Sequence, residues 1–133
     1  MLKEAVTFVL PPRSDTMRRV YGYLLHHRGI DREVLDAFAQ RGMVYESSDY
    51  HNAVFVGVDP QGQPRHAHKR GTGSESTYKG NVPGSQPEYS FHWTGRSKYL
   101  LLFEAPIDML SFISMHKKNW QQHSYAAACS VSD

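Results

Sequence analysis

The sequence predicts a mixed fold, α+β passing into α/β, with an N-terminal helical hairpin, a small, mostly antiparallel β-sheet and a final β-α-β unit. Three observations predict it. Apolar residues recur at the helical period of three and four up to Gly42 and at the strand period of two after it. The apolar stretch KYLLLFE, residues 98–104, then precedes a proline that suits the first position of a helix.

A chain of 133 residues with 40% hydrophobic content can bury a single core. No apolar run approaches the roughly 20 residues that cross a membrane, and the first residues carry charges and no small-residue cleavage site. We therefore expect a cytoplasmic protein with no membrane partner. The single cysteine excludes an internal disulfide framework. The net charge of +2 does not indicate a uniformly basic nucleic-acid binder, so local clusters of charge matter more.

The N-terminal part is predicted to be an extended lead-in over 1–13, where two prolines interrupt an apolar stretch, and a helical hairpin over 14–42. The first helix is expected to begin with Ser14 or Asp15 as N-cap. The second is expected to begin with Asp31 as N-cap and to end at a glycine. The apolar faces of the two helices comprise Met17, Val20, Tyr21, Leu24, Leu25, Val34, Leu35 and Phe38.

The segment 43–98 is predicted to be β-rich. Its expected strands are MVYES, NAVFVGVD, PRHAHKRG and YSFHW. Residues 71–88 are rich in glycine, serine and proline, so we expect a long loop there with little structure of its own.

The segment 99–133 is predicted to hold a strand, a helix and a last strand. The stretch KYLLLFE is apolar throughout, which favours a strand covered on both sides. Pro106 is expected to begin a helix that runs to about Lys118. The last strand, HSYAAACSVSD, is expected to run to the end of the sequence and to leave an unpaired sheet edge.

Glu104 ends the apolar strand, and Asp108 lies in the first turn of the next helix. Ligands of open α/β sheets bind where strands end and helices begin, so we expect both carboxylates to face one crevice. Together they can hold a hard divalent cation such as Mg²⁺, which keeps several waters and completes its shell with substrate phosphates. For Asp108, an alternative is a helix-dipole role worth roughly 0.3 to 1 kcal/mol.

Arg65, Lys69 and Arg70 lie near the end of a predicted strand, and Tyr78 and Lys79 lie in the loop that follows. Basic side chains neutralise phosphates and an aromatic ring stacks on a base, so these five are the candidate nucleic-acid contacts. The alternative is an edge strand protected by charge.

The histidines and the cysteine indicate no further chemistry. His66 and His68 would face one side of a strand, but no third ligand at zinc spacing accompanies them, so zinc is not expected. Cys129 lies in an apolar strand with no neighbour in sequence that would lower its pKa, so it is not expected to be a nucleophile.

The stretch LLLFEAPIDMLS, residues 100–111, resembles the first motif of the Toprim domain, the metal-dependent module shared by bacterial primases and topoisomerases. In that motif a strand ends on Glu and Asp follows in the next helix. More closely, about residues 8–133 are similar to the domain of unknown function placed directly before a divergent Toprim domain in primase-like proteins of bacterial mobile elements. The stretches FEAPIDMLSF and NWQQHSY carry that similarity best.

The resemblance implies a primase-core-like unit over 14–98 and the truncated start of a Toprim-like, Rossmann-like domain over 99–133. It implies that the longer protein is a DNA primase-like nucleotidyltransferase acting in DNA replication or in transfer of mobile elements. Glu104 would be its catalytic residue, as metal ligand or general acid/base, and Asp108 a supporting ligand of Mg²⁺ or Mn²⁺. Single-stranded DNA or RNA, and nucleotides, would be its partners.

Two features depart from that family pattern. Ala105 stands where primases usually have glycine. The second acidic motif, Asp-x-Asp after a further strand, is absent, because Asp133 is the only acid downstream. We therefore expect these residues alone to be inactive as an enzyme. Two alternatives stay open: a non-catalytic nucleic-acid-binding module, and a protein-interaction module that forms a homodimer through an exposed sheet edge.

Overall fold

The computed structural model describes residues 6–130, and these residues have a mixed α+β fold with two sheets. Their α-helices are Arg18–Tyr21 (α1), Arg32–Gln40 (α2) and Pro106–Met115 (α3). Their strands are Val44–Glu46 (β1), Ala53–Val58 (β2), Pro64–Arg70 (β3), Lys79–Asn81 (β4), His92–Trp93 (β5), Leu100–Phe103 (β6) and Ser124–Ala127 (β7). Within this part of the chain, no helix combines the length and the apolar character that a bilayer crossing needs.

The first helix of the hairpin begins later than predicted. α1 starts at Arg18, not directly after Ser14 or Asp15, and continues without a break as a π-helix over Gly22–His27. π-Helical turns are rare and occur often at functional sites.

The N-terminus of α1 is capped from a distance. Met17 occupies the cap position and offers no side-chain acceptor. Instead the buried Glu46 carboxylate at the end of β1 accepts the backbone N–H groups of Arg19 (2.9 Å) and Val20 (3.2 Å). Local cap rules fail here because the acceptor comes from a strand more than 20 residues away.

The second helix follows the prediction. The Asp31 side chain accepts the N–H groups of Glu33 (3.0 Å) and Val34 (3.3 Å), which caps α2. Gly42 lies just beyond the helix with a φ of 72°, a left-handed conformation that favours glycine at this position.

The first sheet is antiparallel with the order β1-β2-β3-β4. One face, with Val44 and Phe55, belongs to the main apolar core that includes α2 and α3. The other face, with Tyr45 and Val54, packs against Phe8 and other apolar residues of the lead-in. Neighbouring residues along each strand therefore pack on opposite faces of the sheet.

The segment 71–88 holds more structure than predicted. β4 lies in it and pairs with β3, so that Lys79 is opposite Arg70. Tyr89, expected in a strand, instead ends a 3₁₀ turn that spans Pro87–Tyr89. Pairing with β3 orders this part of the predicted loop, a tertiary effect that composition does not reveal.

The second sheet has the order β5-β7-β6, with β6 parallel to β7 and α3 between them in sequence. This is the predicted β-α-β unit, and Pro106 is the first residue of its helix. Three details of the prediction were wrong. β7 is the central strand, not the edge, and β6 is not covered on both sides, since Leu100 and Leu102 are 59% and 73% exposed. β7 also ends at Ala127, so residues 128–130 of the predicted last strand do not belong to it, and residues 131–133 lie outside the described residues.

Aromatic rings of α2 and of the second sheet's surroundings pack in the one main core. The Phe38 ring of α2 lies 5.0 Å from the Phe91 ring and 5.1 Å from that of Trp93, centroid to centroid. Trp120, just before β7, stacks on the same Phe38 ring at 5.7 Å. The predicted units 14–98 and 99–133 thus share apolar packing, and the boundary between them stays a prediction.

Candidate functional site

Glu104 and Asp108 line one cleft, which we call the carboxylate cleft. Glu104 directly follows β6, Ala105 is extended, and Pro106 begins α3, so Asp108 falls in the first turn of that helix. Both acidic residues are exposed. The cleft has a volume of about 180 Å³. The backbone carbonyl of Glu104 accepts a hydrogen bond of 2.9 Å from the N–H of Cys129.

Three basic residues, Arg28, Arg70 and Lys79, line the same cleft. Arg70 and Lys79 face each other across the β3–β4 pair, and Arg28 follows the π-helix. Within residues 6–130 none of the three forms an ion pair, and neither do the two carboxylates. The cleft therefore holds both signs of charge with one excess positive charge, and all five groups are available to a ligand.

The arginines of the cleft are positioned by Tyr23. Tyr23 is buried, and its hydroxyl oxygen accepts hydrogen bonds from Arg70 Nε (3.2 Å) and from Arg28 Nη1 (3.4 Å). Sequence reasoning assigned no role to Arg28 or Tyr23, because the contact joins the helical hairpin to a strand over 40 residues away.

A buried histidine contributes to the wall of the cleft. His68 Nδ1 lies 2.7 Å from Asn81 Oδ1, and Asn81 Nδ2 donates to the carbonyl of Cys129 at 2.9 Å. Since an amide oxygen only accepts, His68 carries its proton on Nδ1. Burial lowers the pKa of His68, and the positive charges of Arg70 and Lys79 lower it further. His68 is therefore neutral near pH 7.

The Cys129 thiol is also buried beside the cleft. Burial raises the pKa of this thiol to about 12. The side chain is therefore protonated at neutral pH, a state that is a poor nucleophile and a poor metal ligand.

The size and donors of the cleft restrict its ligands. Pockets for small molecules begin near 300 Å³, so about 180 Å³ suits a phosphate group or a hydrated ion and not a whole nucleotide. Within residues 6–130 no group of three histidine, cysteine or acidic side chains is arranged to hold a metal. Two carboxylates nevertheless fit Mg²⁺, which is usually bound through one or two carboxylates together with waters and phosphate oxygens.

The five predicted nucleic-acid contacts do not lie together. Arg70 and Lys79 line the carboxylate cleft, whereas Lys69 and Tyr78 line a different pocket. Neighbouring residues of a strand point to opposite faces of the sheet, and this separates Lys69 from Arg70. Strand alternation is visible in the sequence and could have predicted the split.

Arg65 lies at the other end of β3, at the turn between β2 and β3. Its Nε donates to Asp59 Oδ2 at 2.8 Å, and this hydrogen bond holds the pKa of the Asp59 carboxyl below its usual range. Asp59 also accepts the N–H groups of Gln61 and Gln63, each at 2.9 Å. Arg65 stays a predicted nucleic-acid contact, but the geometry links it to the hairpin turn and not to the cleft.

Comparisons with known proteins identify a family and two similar proteins. Residues 22–97, more than half of the chain, match the family model described as "Protein of unknown function (DUF3991)". The matched segment contains Arg28, Arg70 and Lys79 and ends before Glu104 and Asp108.

The chain is 29% identical over 108 residues to the uncharacterized protein pXO2-78 of Bacillus anthracis, a match that covers 76% of this chain and 31% of that protein. It is also similar to the crystal structure of a DNA primase domain from Pseudomonas aeruginosa, at 17% identity and a TM-score of 0.40. That match covers 94% of this chain and 41% of the primase chain. The chain thus spans less than half of the length of either protein.

Proposed function

We propose a function from the premise that this chain belongs to the family described as "Protein of unknown function (DUF3991)". In this proposal, the chain binds the phosphate backbone of single-stranded nucleic acid in the carboxylate cleft. It forms the N-terminal part of a primase-like, Toprim-containing protein that acts in DNA replication or in transfer of mobile elements. Glu104 and Asp108 contribute the first acidic motif of a divalent-metal nucleotidyl-transfer site in that longer protein.

One observation carries the proposal: three basic and two acidic side chains, none in an ion pair within residues 6–130, line a single cleft of about 180 Å³. A purely structural cluster of opposite charges would be expected to pair internally. Unpaired cations beside a space of phosphate size favour an anionic ligand, and carboxylates beside it favour a cation that accompanies the phosphate.

The chain's own residues have distinct roles in this proposal. Arg70 and Arg28, both held by Tyr23, neutralise phosphate oxygens, and Lys79 adds a flexible third charge. Glu104 and Asp108 would hold Mg²⁺ or Mn²⁺, which when bound supplies positive charge that offsets the charge developing on a transferring phosphoryl group. Among the described residues, two carboxylates line the cleft, so nucleotidyl transfer is proposed only for the longer protein.

The binding proposal is tested by fluorescence anisotropy with a labelled single-stranded oligonucleotide over a salt series. Arg70→Ala with Lys79→Ala should weaken binding and lower the slope of log K against log salt by about 0.7 for each lost phosphate contact. Lys98→Ala is the matched control, because Lys98 is exposed and does not line the cleft. Equal losses in both variants, or no binding at low salt, would refute the proposal.

The metal part of the proposal is tested by a variant that should raise the affinity for the oligonucleotide. In EDTA, Glu104→Gln should bind the oligonucleotide more tightly than the wild type, because it removes a negative charge beside the phosphate. In Mg²⁺ the wild type should gain affinity and Glu104→Gln should gain less. An equal response of both proteins to Mg²⁺ would exclude Glu104 as a metal ligand and would leave the phosphate proposal standing.

The edge strand β6 favours a second candidate function, homodimer formation. Leu100 and Leu102 are exposed on an edge strand whose backbone groups on one side have no sheet partner among the described residues. Light scattering over a concentration series should show dimers that Leu102→Lys reduces. Met115→Lys, which changes an exposed apolar residue of α3, should leave the dimer fraction unchanged. A monomer at all concentrations would exclude this candidate.

A further inference from the structure

A second pocket, which we call the tyrosine pocket, lies on the other face of the first sheet. Its volume is about 460 Å³, which falls within the range of ligand pockets. The turn 48–51 and the loop 71–78 form its walls, and Arg19 and Lys69 also line it. It shares no lining residue with the carboxylate cleft, so the two sites are separate.

The turn 48–51 has an unfavourable backbone conformation. Tyr50 and His51 have φ angles of 54° and 50°, in the left-handed region that bulky residues rarely occupy. Two such residues in succession persist only where the surrounding structure enforces them, and they concentrate at functional sites.

Contacts to buried groups enforce this turn. His51 Nδ1 lies 2.6 Å from the carboxylate of Glu46, whose side chain is fully buried. Ser47 Oγ donates to the carbonyl of Asp49 at 2.6 Å and accepts the N–H of Asn52 at 3.0 Å. The result of this arrangement is the position of the Tyr50 side chain, which is 87% exposed at the pocket.

Close packing and hydrogen bonds also hold the opposite wall. Gly71 approaches Ser76 so closely that a Cβ at Gly71 would lie 2.1 Å from Ser76 Oγ. Ser76 Oγ accepts the N–H of Tyr78 at 3.2 Å, and Thr72 Oγ1 donates to the carbonyl of His51 at 2.9 Å. The loop and the turn are therefore hydrogen-bonded to each other, which gives the pocket a defined shape.

The lining residues define the chemistry of a ligand. The exposed Tyr50 ring stacks on no other ring and on no cation within residues 6–130, and the Tyr78 ring has only Lys69 Nζ at 5.7 Å from its centroid. Arg19 and Lys69 form no ion pair within the same residues. Asp49 and Asn52 add polar groups that can pair with the edge of a base.

From these contacts we infer that the tyrosine pocket binds a nucleotide. The base stacks on Tyr50, and Arg19 and Lys69 hold the phosphate. Stacking on tyrosine accepts any base, and two cations on flexible stems accept a phosphate without a metal. The nucleotide is either free or one unit of a single strand, since both present the same base and phosphate.

Calorimetric titration with AMP, adenosine and inorganic phosphate, and with the oligonucleotide dT10, tests this inference. AMP should bind at least about tenfold more tightly than adenosine or phosphate alone, because it engages both halves of the pocket. Tyr50→Asn should weaken binding by about 5- to 150-fold, the range for loss of one stacked base. Asparagine tolerates the left-handed conformation, so the turn should be kept.

Controls separate the outcomes. Tyr50→Phe keeps the aromatic ring and should bind as the wild type does. Tyr99→Ala, which removes an exposed tyrosine outside the pocket, should also leave binding unchanged. Binding of dT10 but not of AMP, still sensitive to Tyr50→Asn, identifies a strand as the source of the nucleotide. If neither probe binds, or if Tyr50→Asn binds both as the wild type does, the inference is overturned. If Arg70→Ala weakens binding of these probes and Tyr50→Asn does not, the inference is overturned and binding in the carboxylate cleft is supported instead.

Discussion

Arg70 Nε donates a hydrogen bond of 3.2 Å to Tyr23 Oη, and this bond joins the end of β3 to the π-helix. The same oxygen accepts from Arg28. A single phenol therefore holds two of the three cations of the carboxylate cleft. In the proposed function, Tyr23 is therefore a positioning residue for nucleic-acid binding.

Tyr23→Phe should separate positioning from packing. The variant keeps the ring, which stacks on His27 at a centroid distance of 5.4 Å, and loses the oxygen. Affinity for a labelled single strand should fall about fivefold, which corresponds to about 1 kcal/mol, a typical value for one hydrogen bond. Tyr21→Phe is the control. The Tyr21 hydroxyl donates a hydrogen bond of 2.6 Å to Asp36, and neither residue lines the cleft. If both variants lose affinity equally, Tyr23 has no specific role in binding.

Glu46→Ala should destabilise the fold through α1. Its buried carboxylate is the side-chain cap of that helix and the partner of His51. The free energy of unfolding should fall by about 2 kcal/mol, since buried N–H groups lose their acceptor. Urea unfolding measures this change. Glu88→Ala, at an exposed acid, should change stability by less than about 0.5 kcal/mol. A similar small change in both variants would contradict the capping role.

The stability of the protein should fall with acid because of His66. Burial, with a smaller contribution from the nearby His68, lowers the pKa of this imidazole to about 4. Within the described residues, His66 Nδ1 has no hydrogen-bond partner. The unfolded chain binds a proton near pH 6.5 and the folded chain does not, so stability is lost as the pH falls from 6.5 to 4.

The expected loss over that range is about 3 kcal/mol, from about 1.4 kcal/mol per unit of pKa shift. Urea unfolding at pH 7, 5.5 and 4.5 would follow it. His66→Leu should reduce the dependence, and a weaker slope should remain from His68, whose pKa is also lowered by burial. An unchanged slope in His66→Leu would show that His66 does not control the acid sensitivity.

Substitution of two glycines by alanine should change the stability of the protein in opposite directions. A Cβ at Gly57 would lie 1.7 Å from the backbone oxygen of Tyr89, so Gly57→Ala forces the backbone to move and should cost at least about 2 kcal/mol. Nothing lies within 4 Å of a Cβ at Gly22, which has a helical φ of −57°. Gly22→Ala should therefore stabilise the protein by about 0.5 to 1 kcal/mol. Denaturation midpoints measure both, and destabilisation by Gly22→Ala would contradict this account.

Several elements of the fold could be predicted because their signals are local. Asp31 caps α2 with bonds to residues two and three positions away, and Pro106 begins α3 without needing a donor. The sequence also predicted β1, β2 and β3 of the first sheet, but not β4, which lies in the predicted loop. The edge position of β6 could not be predicted, because an apolar run does not show whether one or both of its faces are covered.

The candidate site was predictable only in part. The position of Glu104 and Asp108 at a strand end and a first helical turn is a matter of sequence spacing. Arg28 enters the same cleft only because the helical hairpin packs beside β3, and the strained turn at Tyr50 exists only because buried groups hold it.

The amino-acid sequence by itself determined where α2 and α3 begin, and which residues carry charge beside a strand end, because caps, prolines and periodicity act over a few residues. Only the tertiary structure decided which of those charges share a cleft and which strand lies at the edge. These outcomes depend on contacts between residues far apart in the chain, and the packing of the whole core selects them.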